Sequence, residues 1–296
     1  MTPPVRPHSI HLIDYAPARR MKLLFVTPAH RRYKLSGIVY AQRADCIRKL
    51  AEAGIESQCV VISDDENLKL AAREGFATIN RNNASLGARF NDGYAYAAEH
   101  GYTHIAPIGS DSWVDPNYFL PAPKATSNAI LTSVHYAIIS EDGHNLAQLE
   151  VEPSGGVGPH TFATRLIAKA GNRPVEENLR RGCDHSLLTS IRRSSGQTIT
   201  WEWRNQHPLQ YIGYRSAEQQ LNPYQPLRDR YAVEEHQDDF WDTLAQTYPA
   251  EIVEQARLYY ASLPPRRTSP QERAAQRQAE REQRRAQRRN ATQPGT

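Results

Sequence analysis

Apolar and polar residues alternate in short blocks along the first third of the chain. Residues 22–27, KLLFVT, form an apolar run ended by Pro28 and read as a buried strand. Ser36 is placed to cap a helix running to about 53, with Ile38, Ala41, Cys46, Ile47 and Leu50 along one face and Gly54 as its stop. A second strand is predicted over 57–62, ended by Ser63-Asp64-Asp65, then a helix over 66–74 stopped by Gly75, and a third strand over 77–79. A helix over 85–99 ends at Gly101, and a fourth strand over 103–108 runs into Gly109-Ser110-Asp111. Strands alternating with helices of this length predict parallel βαβ units. In such sheets ligands collect at the carboxyl ends of the strands. Here those ends are Pro28-Ala29-His30, Asp64-Asp65 and Ser110-Asp111.

The second half is less regular. Residues 129–139 read as one strand, and a Gly-rich loop over 154–159 precedes a helix over 160–170. A helix over 184–193 follows Gly182-Cys183, and 198–203 alternates as a strand with Trp201 and Trp203 on its core side. Helices over 236–246 and 249–261 close the body. Residues 1–20 carry four prolines and little periodicity and read as a disordered extension. After Pro264-Pro265 the chain becomes a low-complexity Arg/Gln/Ala/Glu stretch. Its only apolar side chains besides proline are alanines, so it cannot bury a core face and reads as an exposed helix or a disordered tail.

Charge sharpens this division. The formal net charge is +4, yet residues 264–296 hold nine arginines and three glutamates, a net of +6, which leaves −2 for the rest. All the excess basicity therefore sits in the tail. The 296 residues suffice for one large domain or two small ones. No apolar stretch approaches the ~20 residues that span a bilayer, and the N-terminus has no apolar segment of the kind a secretory signal carries. Cys46, Cys59 and Cys183 are odd in number and widely spaced, so neither a disulfide framework nor a zinc site is expected, and a reducing cytosol is the expected compartment. There is no GxxxxGK[ST], no GxGxxG after a strand and no HExxH, which argues against a P-loop NTPase and a zinc protease.

Three segments, in order, resemble the nucleotide-sugar glycosyltransferases of the GT-A fold. LLFVTPAHRR (23–32) is similar to that family's opening strand with its proline-ended nucleotide loop, and CVVISDDEN (59–67) to its second strand, ending in an aspartate that contacts the base. NNASLGARFNDGYAYAAEHGYTHIAPIGSDSWVDP (82–116) resembles its asparagine-glycine helix followed by a strand and the Asp-x-Asp motif. RRGCDHSLLTSI (180–191) looks like an acceptor-side helix that begins with an acidic residue. The resemblance covers roughly 22–216. It implies an α/β fold with a GT-A-like (Rossmann-type) mixed sheet flanked by helices, in a single domain with a basic C-terminal tail. It divides the body, 21–263, into a nucleotide-sugar-binding half (21–120) and an acceptor half (121–263), followed by the Arg-rich tail over 264–296. The sequence departs from the family at the first acid of the metal motif, which is Gly109 here, leaving Asp111 as the one carboxylate.

Sugar transfer from a nucleotide donor develops negative charge on the leaving diphosphate, which a bound cation or a cationic side chain must stabilise. The resemblance implies a UDP- or GDP-sugar donor with Mn2+ or Mg2+, and Mg2+ needs only one or two carboxylates besides substrate phosphates. Asp111 is the expected metal ligand, with Arg89 as a cationic supplement. Pro28, Ala29, His30, Asp64, Asp65, Arg89, Ser110 and Asp111 are the expected donor-binding residues. For each a plainer role stands beside this one: a turn for Asp111, a helix cap for Asp64 or Asp65, a surface histidine for His30, a solvated arginine for Arg89. Asp184 is the expected general base of an inverting transfer, against a capping role at the start of its helix. His185 is a weaker candidate, Trp113 a stacking platform for sugar or acceptor, His207 a late metal ligand, and Gly155-Gly156-Val157-Gly158 a wall of the acceptor site.

The expected activity is a glycosyltransferase (hexosyl- or pentosyltransferase), resembling small stand-alone, bacteriophage-like members. Its acceptor would be a hydroxyl, with a hydroxylated base in phage DNA suggested by the basic tail. That would place the protein in the host cytoplasm, without membrane. The alternatives are transfer to a virion protein or other non-nucleic-acid acceptor, and a nucleic-acid-binding protein without catalysis. A nucleotidyltransferase is disfavoured by the lack of a Gly-rich phosphate loop after the first strand.

Overall fold

The computed structural model describes residues 20–123, 129–151, 160–171, 173–195, 199–204, 209–216, 224–237 and 239–263. The chain divides into a unit of 1–261 and a second of 262–296, which beyond Leu263 lies outside the described residues. So do the Gly-rich loop over 154–159 and His207.

The first half runs β1 (Lys22–Pro28), α1 (Tyr33–Glu52), β2 (Glu56–Ser63), α2 (Asn67–Arg73), β3 (Ala77–Asn80), α3 (Leu86–Glu99), β4 (His104–Pro107) and β5 (Ser112–Val114). A short 3-10 turn, Pro116–Phe119, leads on to β6 (Ala129–Thr132), β7 (His135–Ile139), β8 (Asn145–Glu150) and β9 (His160–Ala163). The remainder is α4 (Thr164–Lys169), α5 (Cys183–Ser195), β10 (Thr200–Trp203), β11 (Tyr211–Tyr214), α6 (Tyr224–Tyr231), β12 (Ala232–Gln237), α7 (Phe240–Thr247) and α8 (Ala250–Ala261).

One sheet has seven strands in the order β10-β6-β9-β4-β1-β2-β3. The pairs β1–β2, β2–β3, β1–β4 and β6–β10 are parallel, while β9 lies antiparallel between β4 and β6. The sheet is thus mixed and flanked by helices, as expected. A second sheet of five strands, β12-β8-β7-β11-β5, was not anticipated.

β1 shows how sequence becomes core. Side chains alternate across a strand, so Leu23 and Phe25 pack with Tyr40 and Leu50 on the α1 side. Leu24 and Val26 pack with Tyr94, Phe162 and Leu187 on the side covered by α3, α4 and α5. Gly93 allows α3 to approach closely, because a Cβ there would collide with Val26.

Several expected elements change. Ser36 is not a cap but lies buried within α1, whose first turn follows Arg32 in a left-handed conformation, φ 53. The single strand over 129–139 breaks at Ser133-Val134 into β6 and β7, which enter different sheets. The start of the helix over 160–170 is β9, and β12 occupies the start of the helix over 236–246. Trp201 is partly buried against the core, but Trp203 at the end of edge strand β10 is 49% exposed. No described helix is long and apolar enough to cross a membrane.

Candidate active site

The carboxyl ends of β1 and β4 open into a cleft of about 870 Å³. Pro28, His30, Arg89, Ser110, Asp111 and Asp184 all line it, so the structure brings together residues from both halves of the sequence. Its charged wall consists of five arginines (Arg32, Arg89, Arg180, Arg181 and Arg215) against two aspartates, Asp111 and Asp184.

Asp111 lies in the turn between β4 and β5, and its carbonyl accepts the Tyr214 N–H at 2.7 Å. Its Oδ2 accepts from Arg32 Nη1 at 2.7 Å and lies 3.8 Å from Arg215 Nη1, while its Oδ1 accepts from Ser112 Oγ at 3.1 Å. Burial opposes ionisation of this carboxyl, but the two guanidiniums and the hydrogen bonds outweigh it and hold its pKa below the ordinary value. Arg31 and Arg32 both adopt left-handed backbone, φ 55 and 53, which costs energy for residues other than glycine and which places the Arg32 side chain on Asp111.

The turn is clamped from below. Arg43, buried on α1, donates from Nη2 to Ser112 O at 2.7 Å and Gly109 O at 3.4 Å, and from Nη1 to Thr27 Oγ1 at 2.8 Å. Neither Arg32, Arg43 nor Arg215 was singled out from the sequence. A buried arginine at an inward position of α1 was the available signal for Arg43. Arg215 follows β11, and only the pairing of that strand brings it to Asp111.

Arg89 is only 5% exposed. It donates from Nη1 to Ala29 O at 2.6 Å, and its Nε has no partner among the described residues. Desolvation lowers its pKa, with Asp64 and Asp65 acting the other way. Ser110 Oγ is likewise buried without a partner among the described residues.

Asp64 and Asp65 do not line the cleft; they fasten its loops. Asp65 accepts from Arg31 N at 2.7 Å, Ser63 Oγ at 2.8 Å and Asn67 N at 3.0 Å, and Asp64 accepts from Asn83 N at 3.0 Å. His30 Nδ1 lies 3.4 Å from Asp65 and 3.7 Å from Asp64. Among the described residues, these three form the group whose ligand atoms fall close enough to share a cation. The bonds that Asp65 already makes account for its position without an ion.

Asp184 sits in the first turn of α5, one residue inside the helix, so it does not occupy the capping position. Cys183, Leu187, Leu188 and Ile191 bury one face of that helix, which leaves Asp184 and His185 toward the cleft. Asp184 has no hydrogen-bond or ion-pair partner among the described residues. Its surface is open to solvent, yet the cleft walls surround it, and desolvation pushes its carboxyl up to about 6. The accessible surface means that this shift bears on proton transfer in the cleft rather than on stability.

Trp113 is not in this cleft. It is buried against Tyr248 and faces a smaller cavity, so it offers no platform for a sugar here.

The donor set around Asp111 does not fit a divalent cation. Its one carboxylate is already neutralised by Arg32 and Arg215. Position 109, a glycine, supplies no second ligand. The expectation that Asp111 ligates metal meets two guanidiniums where the ion would sit.

No protein-family profile and no curated protein sequence matches the chain. Solved structures do resemble it. A Drosophila β1,4-galactosyltransferase 7 variant, in complex with manganese, UDP-Gal and xylobiose, is 10% identical over 74% of this chain and 78% of its own, with a TM-score of 0.45. Glucosyl-3-phosphoglycerate synthase from Mycobacterium tuberculosis, in complex with Mn2+, UDP and glucosyl-3-phosphoglycerate, is 13% identical over 62% and 70%, with a TM-score of 0.42. The inositol-1-phosphate CTP transferase from T. maritima is 10% identical over 68% and 91%, with a TM-score of 0.41. Glycosyltransferases thus recur among the similar structures, beside cytidylyltransferases. At TM-scores below 0.5 these likenesses assign no chemistry to the chain, which the cleft itself must carry.

Proposed function

We propose that the protein is an inverting glycosyltransferase that moves a sugar from a nucleoside diphosphate donor, UDP- or GDP-linked, to a hydroxyl acceptor. The observation that carries this reading is Asp184: a carboxylate unpaired among the described residues, whose pKa is raised to about 6, in the same cleft as five arginines. A base with a pKa near the working pH is matched to taking a proton from a hydroxyl. The arginines suit a leaving group that carries several negative charges. In the transfer, the bond from the sugar C1 to the β-phosphate oxygen breaks with its electron pair on that oxygen. The acceptor oxygen bonds to C1 from the opposite face and gives its proton to Asp184. Pro28, Ala29, His30 and Ser110 belong to the donor loops, and Asp64 and Asp65 act by holding those loops.

The basic tail favours a hydroxylated base in DNA as the acceptor. The test is incubation of the full chain with a panel of UDP- and GDP-sugars, following release of nucleoside diphosphate, with Asp184→Asn as the control. Diphosphate release that falls in the variant supports the reading. Release of pyrophosphate from a nucleoside triphosphate and a sugar phosphate would replace it with a nucleotidyltransferase, and turnover unchanged in Asp184→Asn would remove its base.

A further inference from the structure

We propose that Arg89 and Arg215, rather than a divalent cation on Asp111, stabilise the diphosphate of the donor, and that Asp111 is a positioning residue for Arg32 and Arg215. The inference rests on the reading of the cleft as a nucleoside diphosphate site.

Three observations carry it. First, Arg89 is a guanidinium at 5% exposure with no carboxylate in ion-pair distance among the described residues. Burying a charge is costly unless it is paired, and one carbonyl from Ala29 answers only one of its five N–H donors. The cleft that it lines is where an anion would complete it. Second, the side chains of Arg215 and Arg32 are 12% and 15% exposed, and the Nε of each is buried without a partner among the described residues, so both retain donors after meeting Asp111. Third, position 109 is a glycine, so no second carboxylate stands beside Asp111. A carboxylate shared by two arginines orients planar forks that match phosphate oxygens.

The charge then balances without a metal. When the C1–O bond breaks, the leaving diphosphate gains one negative charge, and fixed guanidiniums meet it with donors already in place. Asp111 keeps Arg32 and Arg215 from swinging away, and it contributes no bond to the ligand.

The two roles for Asp111 predict opposite signs. As a metal ligand, its loss weakens nucleotide binding and abolishes dependence on the cation. As a positioning residue, its neutralisation adds one positive charge to the cleft, so ground-state nucleotide affinity does not fall while transfer slows. The experiment is calorimetry of UDP and of GDP with the full chain, in EDTA and in Mn2+, for the wild type, Asp111→Asn, Arg89→Lys, Arg89→Met and Arg215→Gln. Thermal melts check that each variant is folded, and paramagnetic resonance reads bound Mn2+ directly.

The expected result is that one nucleotide binds equally well, within about threefold, in EDTA and in Mn2+. Arg215→Gln and Arg89→Met should lose about tenfold or more, as removal of a charged hydrogen-bond donor implies, with Arg89→Lys in between. Asp111→Asn should keep its affinity and lose turnover. Binding that requires Mn2+, with a Mn2+ signal lost in Asp111→Asn, overturns the proposal while leaving the glycosyltransferase reading intact. Binding of neither nucleotide in either condition overturns both. Should Arg89→Met not fold, Arg215→Gln and the sign of the Asp111→Asn effect decide.

Discussion

Asp184 and Arg43 stand at opposite extremes of satisfaction. Asp184 has an accessible carboxylate with nothing bonded to it among the described residues, and its pKa is raised to about 6. A base must be ionised, so kcat/KM should be level above that pH and fall about tenfold per unit below it. Asp184→Asn should lower transfer by ~10²–10⁴-fold, remove the acid limb and leave UDP or GDP affinity unchanged. A pH–rate profile with no limb near 6 would dismiss Asp184 as the base. Arg43 has three partners, and none of its bonds is exposed. Arg43→Met would leave Gly109 O and Ser112 O without this donor, while Thr27 Oγ1 keeps its contact with Cys59 Sγ, at a cost of roughly 1–3 kcal/mol for each buried group left unpaired. Part of this returns if water enters, so we expect a loss of about 3 kcal/mol in chemical denaturation, together with reduced transfer as the Asp111 turn loosens. Undiminished stability would show that the clamp is redundant.

At the scale of elements, the cleft depends on α3 being tied to the segment that precedes α5. Asn91, fully buried on α3, donates from Nδ2 to Val175 O at 2.7 Å and accepts the Val175 N–H at Oδ1, 3.1 Å. Leu86 and Gly87 donate their backbone N–H groups to Leu179 O, and Arg180, Arg181 and Asp184 follow directly. Asn91→Ala would orphan both backbone groups of Val175, costing about 2–4 kcal/mol, or a fall in Tm of roughly 4–15 °C for a chain of this size. Asn91→Asp keeps the acceptor but sets a buried carboxylate against Val175 O, so it should melt no higher than Asn91→Ala. Equal melting of both variants and the wild type would deny the tether.

This tether also marks how far local pattern reaches. The strands β1, β2 and β4 and the helices between them were legible, because apolar blocks bounded by Gly and Pro carry their own period and stops. The second sheet was not. β11 is only Tyr211–Tyr214, and β12, AVEEHQ, is mostly exposed at an edge, so neither shows a buried alternation. β9 carries a helical pattern in the sequence because its four residues run straight into α4. In the cleft, Asp111, Arg89 and Asp184 were legible because each stands next to a recognisable turn or helix start. Arg32 was hidden by a left-handed backbone that no local rule expects of arginine, and Arg215 by a strand pairing between distant segments.

The whole molecule is divided by charge: nine arginines and three glutamates over 264–296, against −2 for the remainder. The segment has no apolar side chain larger than alanine apart from its prolines, so its removal takes little apolar burial with it. A chain ending at Leu263 should therefore keep its Tm within about 2 °C, a shift equivalent to roughly 1 kcal/mol or less at this size. It should also bind UDP or GDP and hydrolyse free donor as the full chain does, since every residue placed in the cleft is retained. The acceptor then decides the rest. If the acceptor is DNA, truncation should raise KM for DNA and flatten its salt dependence, because each phosphate contact contributes about 0.9 to the slope of log affinity against log salt. Acceptor kinetics that ignore both truncation and salt would exclude the tail from acceptor recognition and turn the search toward a protein or a small hydroxylated molecule. A large fall in Tm would contradict the composition argument itself.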